Sequence, residues 1–406
     1  MKHHDEKITP GHAHAMRAWI ESDSRVKLWL AGPLDHVTAK ALDRVRQLPD
    51  LQRLAVMPDV HPAADVCVGT VIATGELLYP QAIGGDIGCG MSTVGFDGAG
   101  ITALHEKRRT LVLECFGREV PILTRIGKDA ARAGAMPLPE LLRAQRLTKA
   151  AEREGLLQLG TLGRGNHFLE VQADDDGRVW IMVHSGSRAV GQAIAQHYTT
   201  ASGHQLGRAP GARHAQGKLL PLSITSAEGQ DYLADQNWAV AYASANRTHL
   251  LASAAAILQR ECGLTPDWDT LVDLPHNFVR SEVHEGIQLI VHRKGASPAF
   301  KGQPGLIPGS AGTFSVHVEG RGSAGALCSS SHGSGRLLSR SEARKCTSAA
   351  QLRRQLEGVL YDERMVGRLL EEAPSVYRDL RVVMEAQRDL VRVVRRLRPV
   401  ISYKGG

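Results

Sequence analysis

The heptapeptide GNHFLEV, residues 165–171, follows the small, pliant run LGTLGR and passes into an apolar, strand-forming segment, so Asn166, His167 and Glu170 crowd its start. Glycines ahead of a strand supply a turn. Polar groups at strand ends stand where ligands collect in sheet-based architectures. The arrangement recurs along the chain. VWIMVHSGSR places His184 at the end of the apolar run 179–183, DTLVDLPHNF does the same for His276, and GALCSSSHGSGR for His332. A lone histidine of this kind is ordinarily structural; several among the 18 of one chain point to a shared centre.

Around this stretch the pattern alternates between strand and helix. RVKLWLAG (25–32) and LQRLAVMPDVH (51–61) read as strands flanking a helix over about 36–47, and 66–96 as short strands and tight turns. Helices are expected over 139–158 and 226–261, and a last one over about 375–398, where Leu380, Val383, Met384, Val391, Val394 and Leu397 form an apolar stripe ending at Pro399. The basic stretch 202–222 is loop-like. Polar motifs lie on both sides of it, so the expectation is a single mixed α/β domain of the α+β class over 25–406, preceded by an extension at 1–24, with its site assembled from the whole chain.

With 406 residues, 43% of them hydrophobic, the chain can bury a large core. It has no apolar run of membrane-spanning length and no signal-like start, which predicts a cytoplasmic protein without a membrane partner. The 6 cysteines are scattered without CxxC pairs, as expected of core residues or single metal ligands. A net charge of +7, with many arginines late in the chain, favours a polyanionic partner, while 4% aromatics argues against a surface built on base stacking.

In YPQAIGGDIGCGM (79–91), Asp86 and Cys89 are hemmed by glycines that let the backbone curl and aim a carboxylate and a thiolate at one spot. With the histidines, these donors suffice for two metal ions bridged by the thiolate; ligand softness points first to zinc. In SSSHGSGRLLSR (329–340), a histidine between serines and a GxGR turn, read as a helix start, stands beside backbone N–H groups and Arg336, a phosphate-binding arrangement in which His332 could attack phosphorus. PGSAGTFS (308–315) is a second small-residue loop able to wrap a nucleotide.

MPDVH, GGDIGCGM, GNHFLE, HSGSR, PHNF, HRKGA, PGSAGT, SHGSGR and the final YKGG occur in the order seen in RtcB-type RNA ligases, and the chain resembles that family from about residue 25 to its end. The resemblance implies an enzyme that uses GTP and manganese to join RNA 3′-phosphate or 2′,3′-cyclic phosphate ends to 5′-hydroxyl ends through a covalent histidine–GMP intermediate, in RNA repair or tRNA splicing. His332 is then the nucleophile. One manganese is held by Cys89, His184 and His276, the other by Asp86, Cys89 and His167, and manganese replaces zinc because the site must also take phosphate oxygens. Asn166, Glu170, Asn277, Pro308, Gly309, Ser310, Ser315, Gly333, Ser334, Gly335, Tyr377 and Lys404 match guanylate-binding positions. Arg188 and Arg336 match positions that hold RNA-end phosphates. Asp59 and His61 match the PDVH corner, whose aspartate is expected near the carboxy-terminal lysine.

Three departures stand out: PAADVCVG (62–69) replaces a glycine-rich stretch, Ala311 a usual methionine, and Ser334 a common alanine. The ending RPVISYKGG is similar to a subgroup associated with a peptide-release factor, and an archease-like activator is a further partner that the family allows. Two other readings compete: a dinuclear metal phosphodiesterase that opens 2′,3′-cyclic phosphates without guanylylation, and a non-catalytic RNA-end binder.

Overall fold

The computed structural model describes residues 22–123, 136–205 and 219–405. The extension over 1–21 and most of the basic stretch 202–222 lie outside them. Two sheets carry the architecture. A five-stranded sheet runs in the order Val26–Leu28, Leu51–His61, Val68–Thr74, Ile287–Lys294, Asn277–His284, and only its first pair is parallel. A seven-stranded antiparallel sheet runs Pro304–Ile307, Ser315–Gly320, Val391–Lys404, Phe168–Asp174, Val179–Ser185, Gly90–Asp97, Thr265–Pro275. Both sheets draw strands from widely separated parts of the chain. Strand ends carrying Cys89, His167, His184 and His276 therefore meet at one rim.

The helix Ala227–Cys262 spans 36 residues, about 54 Å at 1.5 Å per residue. Ser226 caps its start by accepting from Gly229 N–H, and Gly263 in the left-handed region ends it. Its buried stripe begins with Tyr232, Trp238 and Tyr242, ends with Leu250, Leu251, Ala254 and Leu258 against Val94, Ile181 and Val183 of the large sheet, and is polar at Asn246 and Arg247. Among the described residues no helix is long and apolar enough to cross a membrane.

Two expected helices differ. The one drawn over 139–158 starts at Gln145; residues 139–141 form a single 3-10 turn that leads into it. The helix drawn over 375–398 is confined to Leu380–Ala386, and Val391–Lys404 is a strand between Ser315–Gly320 and Phe168–Asp174. Leu380 and Val383 do face the core at helical spacing, but the helix stops at Gln387, whose buried amide donates to Ser331 Oγ at 2.6 Å and accepts from Ser331 N–H at 3.0 Å. Beyond it, β-branched Val391, Val393, Val394, Val400 and Ile401 favour the pleated chain. Pro399 is accommodated where the register shifts between Pro399 and Ile401, so it interrupts the ladder without ending the strand.

Candidate active site

The loop from Tyr79 to Cys89 is pinned by backbone bonds on every side. Cys89 N–H donates to Asp86 C=O at 3.1 Å, Gly88 N–H to Asn277 C=O at 2.7 Å, and His276 N–H to Cys89 C=O at 2.8 Å. Gly88 has φ 72°, and a Cβ there would lie 2.8 Å from Val240 Cα, so only glycine lets the loop rest on the long helix. This curl brings the Asp86 carboxylate and the Cys89 thiol together.

Strand ends complete the cluster. His167 Nε2 stands 3.0 Å from Asp86 Oδ2 and 3.4 Å from Cys89 Sγ, and His184 Nε2 stands 3.2 Å from the same sulfur. The ligand atoms of Cys89, His184 and His276 lie within 4.8 Å of one another, as do those of Asp86, Cys89 and His167. His167 Nδ1 is 3.0 Å from Leu162 C=O and His184 Nδ1 3.1 Å from Asn166 C=O, bonds that place a proton on each Nδ1 and turn Nε2 inward; the proton that His167 Nε2 directs at Asp86 is one that a bound ion would displace.

The electrostatics fit divalent ions. Burial, helped by neighbouring imidazoles, holds His184 and His276 well below the ordinary histidine value, so both are neutral donors near pH 7. Burial tends to raise the Asp86 carboxyl, but the contacts with His167 outweigh it and keep its pKa low. Burial and the Asp86 charge raise the Cys89 thiol well above its usual value; a divalent ion is what would draw its proton off. Asp86 Oδ1 and His276 Nδ1 are buried without a hydrogen-bond partner, which an uncoordinated protein interior would not favour. The donor set and its orphaned atoms therefore fit the two-ion arrangement.

His332 follows the strand Ser329–Ser331 and faces His276 with ring centroids 4.6 Å apart. It does not open a helix: the next one starts at Arg340, capped by Ser339. The support expected from a helix N-terminus is supplied by a carboxylate, because His332 Nδ1 stands 2.7 Å from Oδ2 of the fully buried Asp59. The ion partner of Lys404 is Glu372, at 3.8 Å. His61 Nδ1–H donates to Asp59 C=O at 2.8 Å, and burial lowers its pKa to about 4.

A chamber of about 760 Å³ opens over this group. Asp86, Cys89, His184, His276, His332 and His61 line one side, and Asn166, Glu170, Asn277, Tyr377 and Lys404 another; Pro308, Gly309 and Ser310 face Gly333, Ser334, Gly335 and Arg336. Ser315 sits behind, accepting from Gly309 N–H and Gln172 Nε2, each at 3.2 Å; Gln172 also donates to Glu170 at 2.9 Å. Burial raises the Glu170 carboxyl. Arg188, left-handed at φ 57°, lies behind the Leu162–Gly163 turn with Nε 3.3 Å from Thr161 Oγ1. Arg336 is tied to Glu372 at 2.9 Å, to Glu371 C=O at 2.7 Å and to Leu338 C=O at 3.1 Å, and stacks on Tyr377.

Several residues here were not singled out from the sequence. Lys294, in the quoted HRKGA motif, lines the chamber, and burial lowers its pKa. Glu372 gathers Arg336, Tyr377 and Lys404. Burial opposes its ionisation, but Lys404 and Arg336 hold it below the usual carboxyl value. Arg247 and Asn246 reach the metal-donor loops from the long helix. Arg247 donates to Gly88 C=O at 2.7 Å and Ser185 C=O at 3.2 Å, and Asn246 Nδ2 to Ser185 Oγ at 3.0 Å and Gly186 C=O at 3.3 Å. Their sequence signal is weak: they are polar residues within a largely apolar stripe that also carries Asp235 and Gln236.

Two sheets and one long helix thus converge on paired Cys/His/Asp donor sets beside His332, a candidate metal centre. The family model for the tRNA-splicing ligase RtcB matches residues 41–135 and 127–405, and the chain belongs to the RtcB family. It is 33% identical to the RNA-splicing ligase RtcB1 of Escherichia coli over 94% of this chain and 97% of that protein. It is 31% identical to RNA-splicing ligase RtcB of Mycobacterium tuberculosis (89% and 99%), and 28% identical to the tRNA-splicing ligase RtcB of Thermococcus kodakarensis (91% of each).

Proposed function

We propose that this RNA ligase of the RtcB family joins RNA 3′-phosphate or 2′,3′-cyclic phosphate ends to 5′-hydroxyl ends at the expense of GTP, through a guanylate carried on His332. The observation that carries the reading is the His332–Asp59 contact at 2.7 Å beside both donor clusters. The Asp59 carboxylate stands close enough to Nδ1 to pair with charge, although neither atom has an aligned hydrogen-bond partner, and so balances the charge that the imidazole gains on attack by Nε2. Nε2 attacks the α-phosphorus, a P–N bond forms, the bond to the bridging oxygen breaks, and pyrophosphate leaves with the electron pair. A 2′,3′-cyclic end is first opened by water, which breaks the P–O2′ bond and leaves a 3′-phosphate; an oxygen of that phosphate takes the guanylate as the P–N bond breaks and the imidazole is freed, and the 5′-hydroxyl oxygen then attacks the RNA phosphorus, losing its proton as GMP leaves.

Cys89, His184 and His276, and Asp86, Cys89 and His167, would hold two manganese ions, which when bound draw charge from phosphate oxygens, an effect worth several kcal/mol, roughly. Glu170, Asn166, Tyr377 and Lys404 bound the space for the nucleotide, and the Pro308–Ser310 loop closes it opposite Gly333–Gly335. All 6 cysteines are free, in keeping with a reducing, cytoplasmic setting. The release-factor link and an archease-like activator are tested by co-purification from cells.

Incubation with α-labelled GTP and manganese is expected to leave acid-labile label on the protein, and His332→Ala to abolish it. Opening of cyclic phosphate without GTP and without label would favour the phosphodiesterase reading instead.

A further inference from the structure

A second cavity, about 370 Å³, adjoins the chamber, with Arg340 and Lys404 lining both. Its other walls are Arg164, Arg344 and Arg368, with Glu371 and Glu372 as its acidic residues. The two carboxylates are already engaged. Glu371 pairs with Arg344 and, at 3.7 Å, with Arg340; Glu372 holds Arg336, Tyr377 and Lys404. Arg164 and Arg368 are exposed and have no acidic partner among the described residues. No aromatic side chain lines the cavity.

Arg164 belongs to the turn that precedes the donor strand. It lies two residues before Asn166 and three before His167, on the turn that delivers both to the chamber, and Gly165 next to it packs against Arg340, where a Cβ would lie 2.7 Å from Nη2. A trough beside the chamber with surplus exposed cations and no stacking surface suits a chain of phosphates. It does not suit a base. We propose that this trough seats the phosphodiester backbone of the single-stranded RNA entering the chamber, with Arg164 and Arg368 as the phosphate contacts. The proposal rests on the ligase reading.

The test is fluorescence anisotropy on the full chain with a labelled single-stranded RNA bearing a 3′-phosphate, titrated across salt concentrations. Arg164→Ala and Arg368→Ala are each expected to weaken binding several-fold, roughly, and to make the slope of log affinity against log salt shallower by about 0.7, with about twice that for the double variant. Label uptake from GTP is expected to match the parent chain, because neither side chain lines the nucleotide chamber. Unchanged RNA affinity and salt slope in the double variant would overturn the proposal. So would a raised GTP requirement with unchanged RNA binding, which would give the trough to the triphosphate. Absence of label in the parent chain counts against the ligase chemistry alone, since RNA affinity is read separately.

Discussion

Replacing Arg247 tests how the donor loops are held. Its guanidinium is fully buried; Nε is 2.6 Å and Nη2 3.0 Å from the two Asp273 oxygens, Nε is also 3.0 Å from Ser92 Oγ, and Nη1 reaches the carbonyls of Gly88 and Ser185. Those carbonyls immediately precede Cys89 and follow His184 in sequence. Arg247→Met leaves Asp273 with Ser92 and Ser244 as its remaining partners and strips two buried carbonyls of a donor. Breaking a buried pair by removing one partner costs about 3–5 kcal/mol. Loss of support behind metal ligands lowers metal affinity by about 10–100-fold. Arg247→Lys keeps the charge but cannot bridge a carboxylate and two carbonyls with one ammonium, so it should keep part of the stability and still bind manganese more weakly. Adding Asp273→Leu to Arg247→Met removes the stranded carboxylate and should recover stability without recovering affinity. Urea unfolding of the metal-free chain and calorimetric titration with manganese separate the two effects. Metal affinity at the parental level in Arg247→Lys and Arg247→Met alike would refute the argument.

Asp59→Asn keeps the shape beside His332 but removes the charge that balances the imidazole on attack; label uptake from GTP should fall by on the order of 100-fold or more, with thermal stability nearly unchanged. Gly165→Ala forces a side chain into φ 77° against Arg340 and should cost about 1–2 kcal/mol in urea unfolding. Burial depresses His292 to about 4, and burial together with the Arg395 charge depresses His317 to about 3, from 6.5. The unfolded chain takes up these protons first, so their contribution is complete above about pH 6.5 and is lost as pH falls toward 4 and 3, at about 1.4 kcal/mol per pH unit for each histidine. These two alone should lower stability at pH 5 by roughly 4 kcal/mol relative to pH 7, with other buried histidines such as His61 adding to it, and His292→Gln should shrink the gap by about 2 kcal/mol; a flat profile would contradict the assignment.

How far the sequence is legible depends on the range of the forces involved. The strands at 51–61 and 179–185, the helix at 226–261 and the donor residues at strand ends are visible because period, capping and glycine turns act within a few residues. Residues 391–398 misread as helix because valines and arginines fit either period. Their strand conformation is set by pairing with Ser315–Gly320, far away in sequence. His332 could be singled out as a nucleophile, but the carboxylate beside it comes from position 59, and nothing local to either residue announces that contact.

The sequence by itself determined the family and singled out candidate residues for its chemistry, because ordered motifs and donor types are properties of the chain. Tertiary structure alone decided that Asp59 stands beside His332, that Arg247 ties the donor loops together, and that unpaired arginines gather beside the chamber. These contacts join segments tens to hundreds of residues apart, and only the packing of two sheets against one long helix brings them within reach.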